Sequence, residues 1–217
     1  MEERAQEPLY SLSEEAVHAL THGLGLVASV GGMVVLVAAA CLRGDVWHVV
    51  GGSVFGATLV LLYATSTLYH GLRSPRAKRI FQRLDHTAIF LLIAGTYTPF
   101  TLVSLRGSWG WTLLAIVWGL AALGIILEIA ARTRRASVAL HLAMGWLIVI
   151  VAEPLARSLH PDGLLLLALG GMAYTLGVVF YAWRRLPYNH AIWHLFVMTG
   201  SACHFACVLG YVIPPAA

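Results

Sequence analysis

Seven long apolar runs, separated by short polar segments, constrain the fold of this chain more than any other feature. Each run is about 20 residues long, the length at which an α-helix crosses the hydrocarbon core of a bilayer. Only 11% of the 217 residues are charged, whereas soluble domains are about a quarter charged. We therefore expect an all-α, seven-transmembrane helix bundle with no separate soluble domain.

The predicted spans are bounded by turn-forming and basic residues. They cover residues 20–42, 47–70, 84–105, 109–131, 138–157, 164–183 and 189–213. Between spans, residues 73–83 are predicted to form a basic loop and residues 160–163, His-Pro-Asp-Gly, a turn. Residues 1–17 are then a short N-terminal segment, and residues 18–217 form a single membrane domain.

The N-terminal segment carries one signal for the start of a helix. Ser11 is followed three residues later by Glu14, the spacing of a capping box, which predicts a helix that starts just before the membrane. The chain opens with acidic residues instead of the basic stretch of a secretory signal peptide. We therefore expect the first apolar run to remain in the protein as a helix.

The basic residues predict the orientation of the bundle. Of the 14 lysines and arginines, all but Arg43, Arg106 and Arg157 fall on one side, in the N-terminal segment and in the second, fourth and sixth connections. Cytoplasmic loops are enriched in such residues, so the N-terminus is predicted to be cytoplasmic and the C-terminus external. The net charge of +4 does not indicate a nucleic-acid binder, because these residues lie in short loops where they set topology.

Several polar side chains fall at one predicted end of the spans, just inside the cytoplasmic leaflet. His190 and His194 are four residues apart at the start of the last span, so they share one helix face. Ser66 and His70 have the same spacing at the end of the second span, and Asp85 opens the third. Ionisable side chains at this depth are costly and usually functional. The same layer also includes Glu14, His18, His22, His86 and Glu128.

These residue types are suited to a catalytic zinc site. His70, His190 and His194 would supply three imidazoles from two helices, leaving a fourth position for water. Zinc lowers the pKa of its bound water to about 7, and Asp85 could serve as the general base. Ser66 could hydrogen-bond the water, Asp85 or a substrate carbonyl. The pattern leaves manganese and iron open as alternatives to zinc.

Each of these residues also has a purely structural interpretation. The three histidines could form a hydrogen-bonded cluster without a metal, Ser66 and Thr65 could bond back to carbonyls four residues earlier, and Asp85 could pair with Arg83 or Arg79. His86 would point about 100° away from Asp85 around the helix. His204 is expected to bond another helix, and Glu153 to satisfy backbone groups freed by Pro154. Histidines near span ends are interpreted as interfacial residues: His18, His22, His48, His141 and His160.

Three motifs together resemble one protein family. They are Ser-Thr-Leu-Tyr-His at residues 66–70, Leu-Asp-His-Thr-Ala-Ile-Phe-Leu-Leu-Ile-Ala-Gly-Thr-Tyr-Thr-Pro at 84–99, and His-Ala-Ile-Trp-His-Leu-Phe at 190–196. The chain resembles the haemolysin III proteins of bacteria, within the progestin and adipoQ receptors, and is more distantly similar to alkaline ceramidases. The resemblance runs from about Glu14 to Val212. It implies seven helices in the orientation given above, Zn2+ on His70, His190 and His194, and Asp85 and Ser66 around the zinc-bound water.

The functional expectation combines this chemistry with the resemblance. It is a zinc-dependent hydrolase of a membrane lipid amide or ester, such as ceramide, with a role in membrane lipid homeostasis. The alternatives are a lipid-sensing receptor with structural zinc and a cytolytic membrane protein. The predicted partner is a membrane lipid, not a nucleic acid, and the predicted location is an inner or plasma membrane, with the metal site near its cytoplasmic leaflet.

Overall fold

The architecture was established from a computed structural model that describes residues 10–131 and 134–214. Within these residues there are seven helices long and apolar enough to cross a membrane. We number them α1 (Leu12–Arg43), α2 (Val46–Gly71), α3 (Pro75–Ser104), α4 (Ser108–Ala130), α5 (Ala136–Ser158), α6 (Pro161–Ala182) and α7 (Asn189–Val212). The prediction of an all-α, seven-helix bundle is therefore confirmed. The predicted orientation used Arg4, Arg132, Arg134 and Arg135; the first two lie outside the described residues, as do the side chains of the other two.

The first helix begins at the predicted signal. The Glu14 amide donates to Ser11 Oγ at 3.3 Å, and the Ser11 amide donates to Glu14 Oε2 at 2.9 Å. This reciprocal capping box satisfies two amides that the first helical turn leaves unpaired. As a result α1 starts eight residues before the predicted apolar span, and its first turns lie beside the polar ends of the neighbouring helices.

Two other helices start before the predicted bounds of their spans. The prediction of a basic loop at 73–83 is wrong. Helix α3 starts at Pro75, and most of the basic residues assigned to that loop lie on the first turns of this helix. The prediction of a turn at 160–163 is also wrong, because α6 starts at Pro161. His160 Nδ1 accepts a hydrogen bond from the Asp162 amide at 3.3 Å. In both cases proline occupies the first helical position, where its missing N–H costs nothing.

Helix α5 contains an irregular segment that a tyrosine from α3 supports. It is α-helical to Gly145, tightens to a 3-10 helix over Trp146–Val151 and is α-helical again over Ala152–Ser158. The Tyr97 hydroxyl lies 2.9 Å from the carbonyl oxygens of Met144 and Gly145, and it accepts a bond from the Ile148 amide at 2.8 Å. Irregular backbone at membrane depth is tolerated where such partners exist.

Glu153 does not have the predicted role beside Pro154. Its Oε1 accepts a hydrogen bond from Arg157 Nη2 at 2.5 Å, and both side chains are more than three-quarters exposed. The expectation that Glu153 satisfies freed backbone groups is therefore wrong. Its ion pair with Arg157 one turn later is a surface pair of the helical i,i+4 type.

Helix α1 packs against both helices that carry His70, His190 and His194. It lies along α2 and also contacts α7, while α2 packs on α3 and α6 packs on α7. Small residues allow some of these contacts: a Cβ at Gly95 on α3 would overlap the Thr58 side chain on α2. Close approach of this kind is how helices associate in lipid. It brings the start of α1, the end of α2 and the start of α7 together.

Candidate metal site

Three buried imidazoles converge where α2 ends and α7 begins. His70, His190 and His194 are 3%, 8% and 1% exposed. Their ring centroids are 5.1 Å apart for His70 and His190, 5.3 Å for His70 and His194, and 4.5 Å for the pair on α7. One nitrogen from each ring lies within 4.8 Å of the other two, so the three residues could hold a metal ion.

Glu15 on α1 orients the first imidazole. Its Oε2 accepts a hydrogen bond from His70 Nδ1 at 2.6 Å, and its Oε1 lies 2.8 Å from the ammonium of Lys78 on α3. Because Nδ1 carries the proton in this bond, the other nitrogen is left with its lone pair. That atom, His70 Nε2, is buried and has no hydrogen-bond partner. A carboxylate behind a histidine is the usual support of a metal ligand.

Thr21 on α1 orients a second imidazole, that of His194. Its hydroxyl donates to backbone carbonyls of α1, at 3.0 Å to Val17 and 2.9 Å to His18. Its oxygen lies 3.0 Å from His194 Nδ1. A hydroxyl has one proton, so Thr21 accepts from His194 and leaves the lone pair on Nε2. Sequence reasoning missed both Glu15 and Thr21, although the four-residue spacing of Glu14, His18 and His22 already indicated a polar stripe on α1.

His18 and His22 are not interfacial, so that interpretation is wrong for both. They are 0% and 3% exposed, because α1 starts early and this face of it packs against α2 and α7. The His18 ring lies 4.8 Å from His70, 5.0 Å from His190 and 5.6 Å from His194, between centroids. The His22 ring stacks on the His194 ring, with the two centroids 3.4 Å apart. Neither ring has a hydrogen-bond partner among the described residues.

The two residues predicted to act beside the metal line a cavity at this end of the bundle. Ser66 and Asp85 are 1% and 8% exposed, and both contribute to its wall. Thr65 bonds back to the Leu61 carbonyl at 2.8 Å, but Ser66 Oγ is buried and has no such partner in the described chain. The back-bonding alternative therefore holds for Thr65 and not for Ser66.

The cavity has a volume of about 390 Å³ and a mostly apolar lining. His190 and His194 line it together with Ser66 and Asp85. Most of the remaining wall is apolar and comes from five helices, for example Leu62, Ile93, Val149, Leu167 and Val197. A cavity of this size and polarity suits an amphiphile with a small polar group and an apolar body.

The other polar residues of the layer have partners of their own. His86 Nδ1 lies 3.1 Å from Glu128 Oε1 on α4, and Ser137 on α5 donates to the same carboxylate. His86 is thus paired with a carboxylate of α4. His141 packs against Phe90 at 4.0 Å between ring centroids, and its Nε2 is buried.

The three remaining histidines lie on other parts of the bundle. His204 Nε2 lies 3.2 Å from the Leu167 carbonyl on α6, which confirms that it bonds another helix. His48 and His160 lie at the starts of α2 and α6, near span ends.

The donor set at the three histidines fits a metal ion. Both ring nitrogens of His190 are buried and have no partner in the described chain, and the bonds at Nδ1 of His70 and His194 leave the lone pair of each ring on Nε2. Unsatisfied polar atoms in a buried site are costly unless something binds them. Neutral imidazole nitrogens are preferred ligands of zinc.

Known proteins match almost the whole chain. The model of the haemolysin-III related family matches residues 10–205. Hemolysin-3 of Bacillus cereus is 46% identical over 218 residues, covering 100% of both chains, and the Hemolysin-3 homolog of Bacillus subtilis (strain 168) is 44% identical over 207 residues, covering 94% of this chain and 97% of its own. The human monocyte to macrophage differentiation factor is 30% identical over 207 residues, covering 92% and 84%. This chain belongs to the haemolysin-III related family.

Proposed function

We propose that this protein is a zinc-dependent hydrolase of a membrane lipid amide or ester. His70, His190 and His194 would hold the metal. One observation carries the proposal: three buried imidazoles could share a metal ion, and two of them, His190 and His194, line a mostly apolar cavity inside a bundle of membrane-length helices. A lipid could place its acyl chain in the cavity and its carbonyl beside the histidines.

The side chains around the histidines have separate roles in this proposal. Zinc, when bound, would supply Lewis acidity and make water easier to deprotonate. Asp85 takes the proton from the attacking water as general base. Ser66 Oγ, buried and without a partner in the described chain, donates a hydrogen bond to the carbonyl oxygen. Glu15 and Thr21 keep His70 and His194 in the right tautomer and orientation.

The charge near the site supports a position at the cytoplasmic leaflet. Lys78 pairs with Glu15 directly behind His70, and Arg76 and Arg79 lie on the same first turns of α3. Basic residues concentrate on the cytoplasmic side of membrane proteins. The hydrolase would therefore be a multi-pass protein of an inner or plasma membrane and take lipid from the inner leaflet.

A second candidate is a lipid-sensing receptor in which the metal is structural. The observation that favours it is His18, a fourth imidazole beside the three. Structural zinc sites have four protein ligands, whereas catalytic sites keep one position open. In this case the metal would fasten α2 to α7 and would not act on a bound lipid.

Metal content and lipid turnover separate these possibilities. Protein purified without chelator should carry about one zinc per chain, because three inward imidazoles form one catalytic-type site. His70→Ala and His190→Ala should lose the zinc. The loaded protein should hydrolyse one or more lipids from a panel of fluorescent ceramides and phospholipid esters. Asp85→Asn should keep the zinc and lose the turnover.

Two outcomes would contradict the hydrolase. Well-folded wild type without metal would refute the site itself. Zinc-loaded wild type that binds lipids of the panel without hydrolysing any would favour the receptor.

A further inference from the structure

A second group of polar side chains lines the cavity apart from the three histidines. We call it the Glu128 cluster; it consists of His86 on α3, Glu128 on α4, and Ser137 and His141 on α5, and all four side chains contribute to the cavity wall. Glu128 lies near the end of α4 and Ser137 near the start of α5. The cluster is therefore at the same end of the bundle as Asp85, the neighbour of His86 on α3.

Two hydrogen bonds fix the carboxylate of Glu128. Its Oε1 accepts from His86 Nδ1 at 3.1 Å, and its Oε2 accepts from the Ser137 hydroxyl. An ionised carboxylate has about four lone-pair positions, so these two bonds leave acceptor capacity unused. The side chain of Glu128 keeps 9% of its surface exposed and that of His86 keeps 20%. Glu128 is thus held in place and can still accept from a further donor.

The charge of Glu128 has no fixed counter-ion in the described structure. Among the side chains that the structure describes, its ion-pair neighbour is His86, and no lysine or arginine pairs with it. A neutral imidazole donates a hydrogen bond but brings no positive charge. A carboxylate in a mostly apolar wall is costly, and a neutral residue would join α3, α4 and α5 at less cost. Glu128 is therefore suited to bind a cation that enters the cavity.

The arrangement favours an organic cation over a metal ion. Among the described residues, ligand atoms come together for a metal in two groups that both include His70, and the Glu128 cluster is not one of them. An ammonium group needs hydrogen-bond acceptors and no coordination sphere. His141 Nε2 is buried and has no partner in the described chain, so the polar groups of the cluster do not all satisfy one another. A lipid amine would bring the ammonium together with an apolar chain that suits the rest of the wall.

We propose that the Glu128 cluster binds the ammonium group of an amine-bearing membrane lipid. This inference rests on the proposed function, because it names the class of lipid that the cavity receives. The ammonium donates to Glu128, which His86 and Ser137 hold in position. Asp85 and His86 are neighbours on α3 and point about 100° apart around the helix, so the ammonium subsite and the proposed general base lie at the same depth. The lipid would therefore carry its amino group within a few bonds of its acyl amide or ester.

Two probes that contain no bond to hydrolyse test this. Dodecylamine and 1-dodecanol have the same apolar chain, and only the amine is charged at pH 7, as the lysine side chain is. Each is titrated into protein purified without chelator, in nanodiscs of phosphatidylcholine, which has no primary amine. The rise in melting temperature measures binding. We expect the wild type to bind dodecylamine at least about tenfold more tightly than dodecanol, the effect of a hydrogen bond between charged groups.

Three variants locate the ammonium. Glu128→Gln should lose the preference for the amine and bind dodecanol as the wild type does, because glutamine has nearly the same shape without the charge. Glu153→Gln removes an exposed glutamate that pairs with Arg157, and it should keep the full preference. Asp85→Asn removes the other carboxylate among the described residues of the cavity wall, and it should keep the preference as well. Loss of the preference in Asp85→Asn but not in Glu128→Gln would assign the ammonium to Asp85 and overturn the proposal.

The outcomes separate this inference from the proposed function. A wild type that binds both probes equally would overturn the ammonium subsite and leave the hydrolase standing. A preference for the amine in protein without metal would support the subsite and refute the hydrolase. A wild type that binds neither probe would overturn both, because no lipid chain then enters the cavity. If Glu128→Gln does not fold, Asp85→Asn decides: a preference that remains there supports Glu128, and one that is lost overturns it.

Discussion

Glu15 Oε2 and His70 Nδ1 lie 2.6 Å apart, and their hydrogen bond joins the first turn of α1 to the last turn of α2. The bond leaves the lone pair of the His70 ring on Nε2, which is buried and has no partner in the described chain. The Lys78 ammonium pairs with the other oxygen and balances the Glu15 charge. The glutamate is therefore placed to strengthen a metal ligand without touching the metal.

Replacing this glutamate should weaken metal binding. We expect Glu15→Gln to lower zinc affinity about 10- to 100-fold, because an amide orients His70 less firmly and does not raise its basicity. Competition with a chromophoric chelator measures the change. Glu14→Gln is the matched control, since Glu14 accepts from Ser11 and from the Tyr188 amide and contacts no proposed ligand. Equal affinities for the two variants would contradict the role of Glu15.

The sequence was sufficient for the three histidines because two local spacings identify them. His190 and His194 are one turn apart in an apolar run, and His70 follows Ser66 by the same interval. The polar face of α1 was harder to recognise, because Glu15, Thr21 and His22 lie where a helix leaves the membrane, and polar residues are ordinary there. Only the packing of α1 against α2 and α7 shows that this face is buried.

The predicted helix boundaries were wrong for a related reason. Hydropathy locates the part of a helix that lies in lipid, but α3 continues into its basic segment and begins at Pro75. Proline at the first helical position marks that start, and a hydropathy profile does not detect it. The distinction also affects the site, because Lys78 reaches Glu15 from the part of α3 that hydropathy assigned to a loop.

Thr21 should support His194 through its oxygen and not through its shape. Thr21→Val keeps the branched side chain but removes the acceptor for His194 Nδ1, so the ring loses its fixed tautomer. We expect zinc affinity to fall about tenfold or more, and Thr21→Ser to restore most of it. Thr65→Val is the control, because the Thr65 hydroxyl bonds only backbone carbonyls of its own helix. An unchanged affinity in Thr21→Val would refute this support.

Gly95 should be required for the contact between α2 and α3. A Cβ at this position would overlap the Thr58 side chain. We expect Gly95→Ala to destabilise the bundle by about 1–3 kcal/mol, the usual cost of overpacking, and Thr58→Ala to recover part of the loss in the double variant. Gly119→Ala on α4 is the control, since its Cβ would have no neighbour within 4 Å. Unfolding in mild detergent measures all four proteins, and equal stability of the two glycine variants would contradict the prediction.

The connection between α1 and α2 should give stability that depends on pH. Desolvation would raise the pKa of Asp45, but hydrogen bonds from Arg106, His48 and the Trp47 amide outweigh it and hold that pKa below its usual range. A depressed pKa stabilises the folded protein above the unfolded pKa of about 3.9, and this contribution is lost as the pH falls further.

Asp45→Asn should therefore melt at a lower temperature than the wild type at pH 7. The difference should shrink as the pH drops below about 4, because Asp45 of the unfolded wild type then begins to take up a proton while the folded carboxylate stays ionised. Thermal unfolding in lipid nanodiscs, at pH 7 and at a pH below about 4, measures this difference in melting temperature. Asp162→Asn, at the start of α6, is the control and should change little, because Asp162 has only the distant His160 Nδ1 at 3.6 Å as an ionic neighbour among the described residues. A difference between Asp45→Asn and wild type that grows in acid would have the wrong sign for a carboxylate held by Arg106, and would assign the stability of this connection to another group.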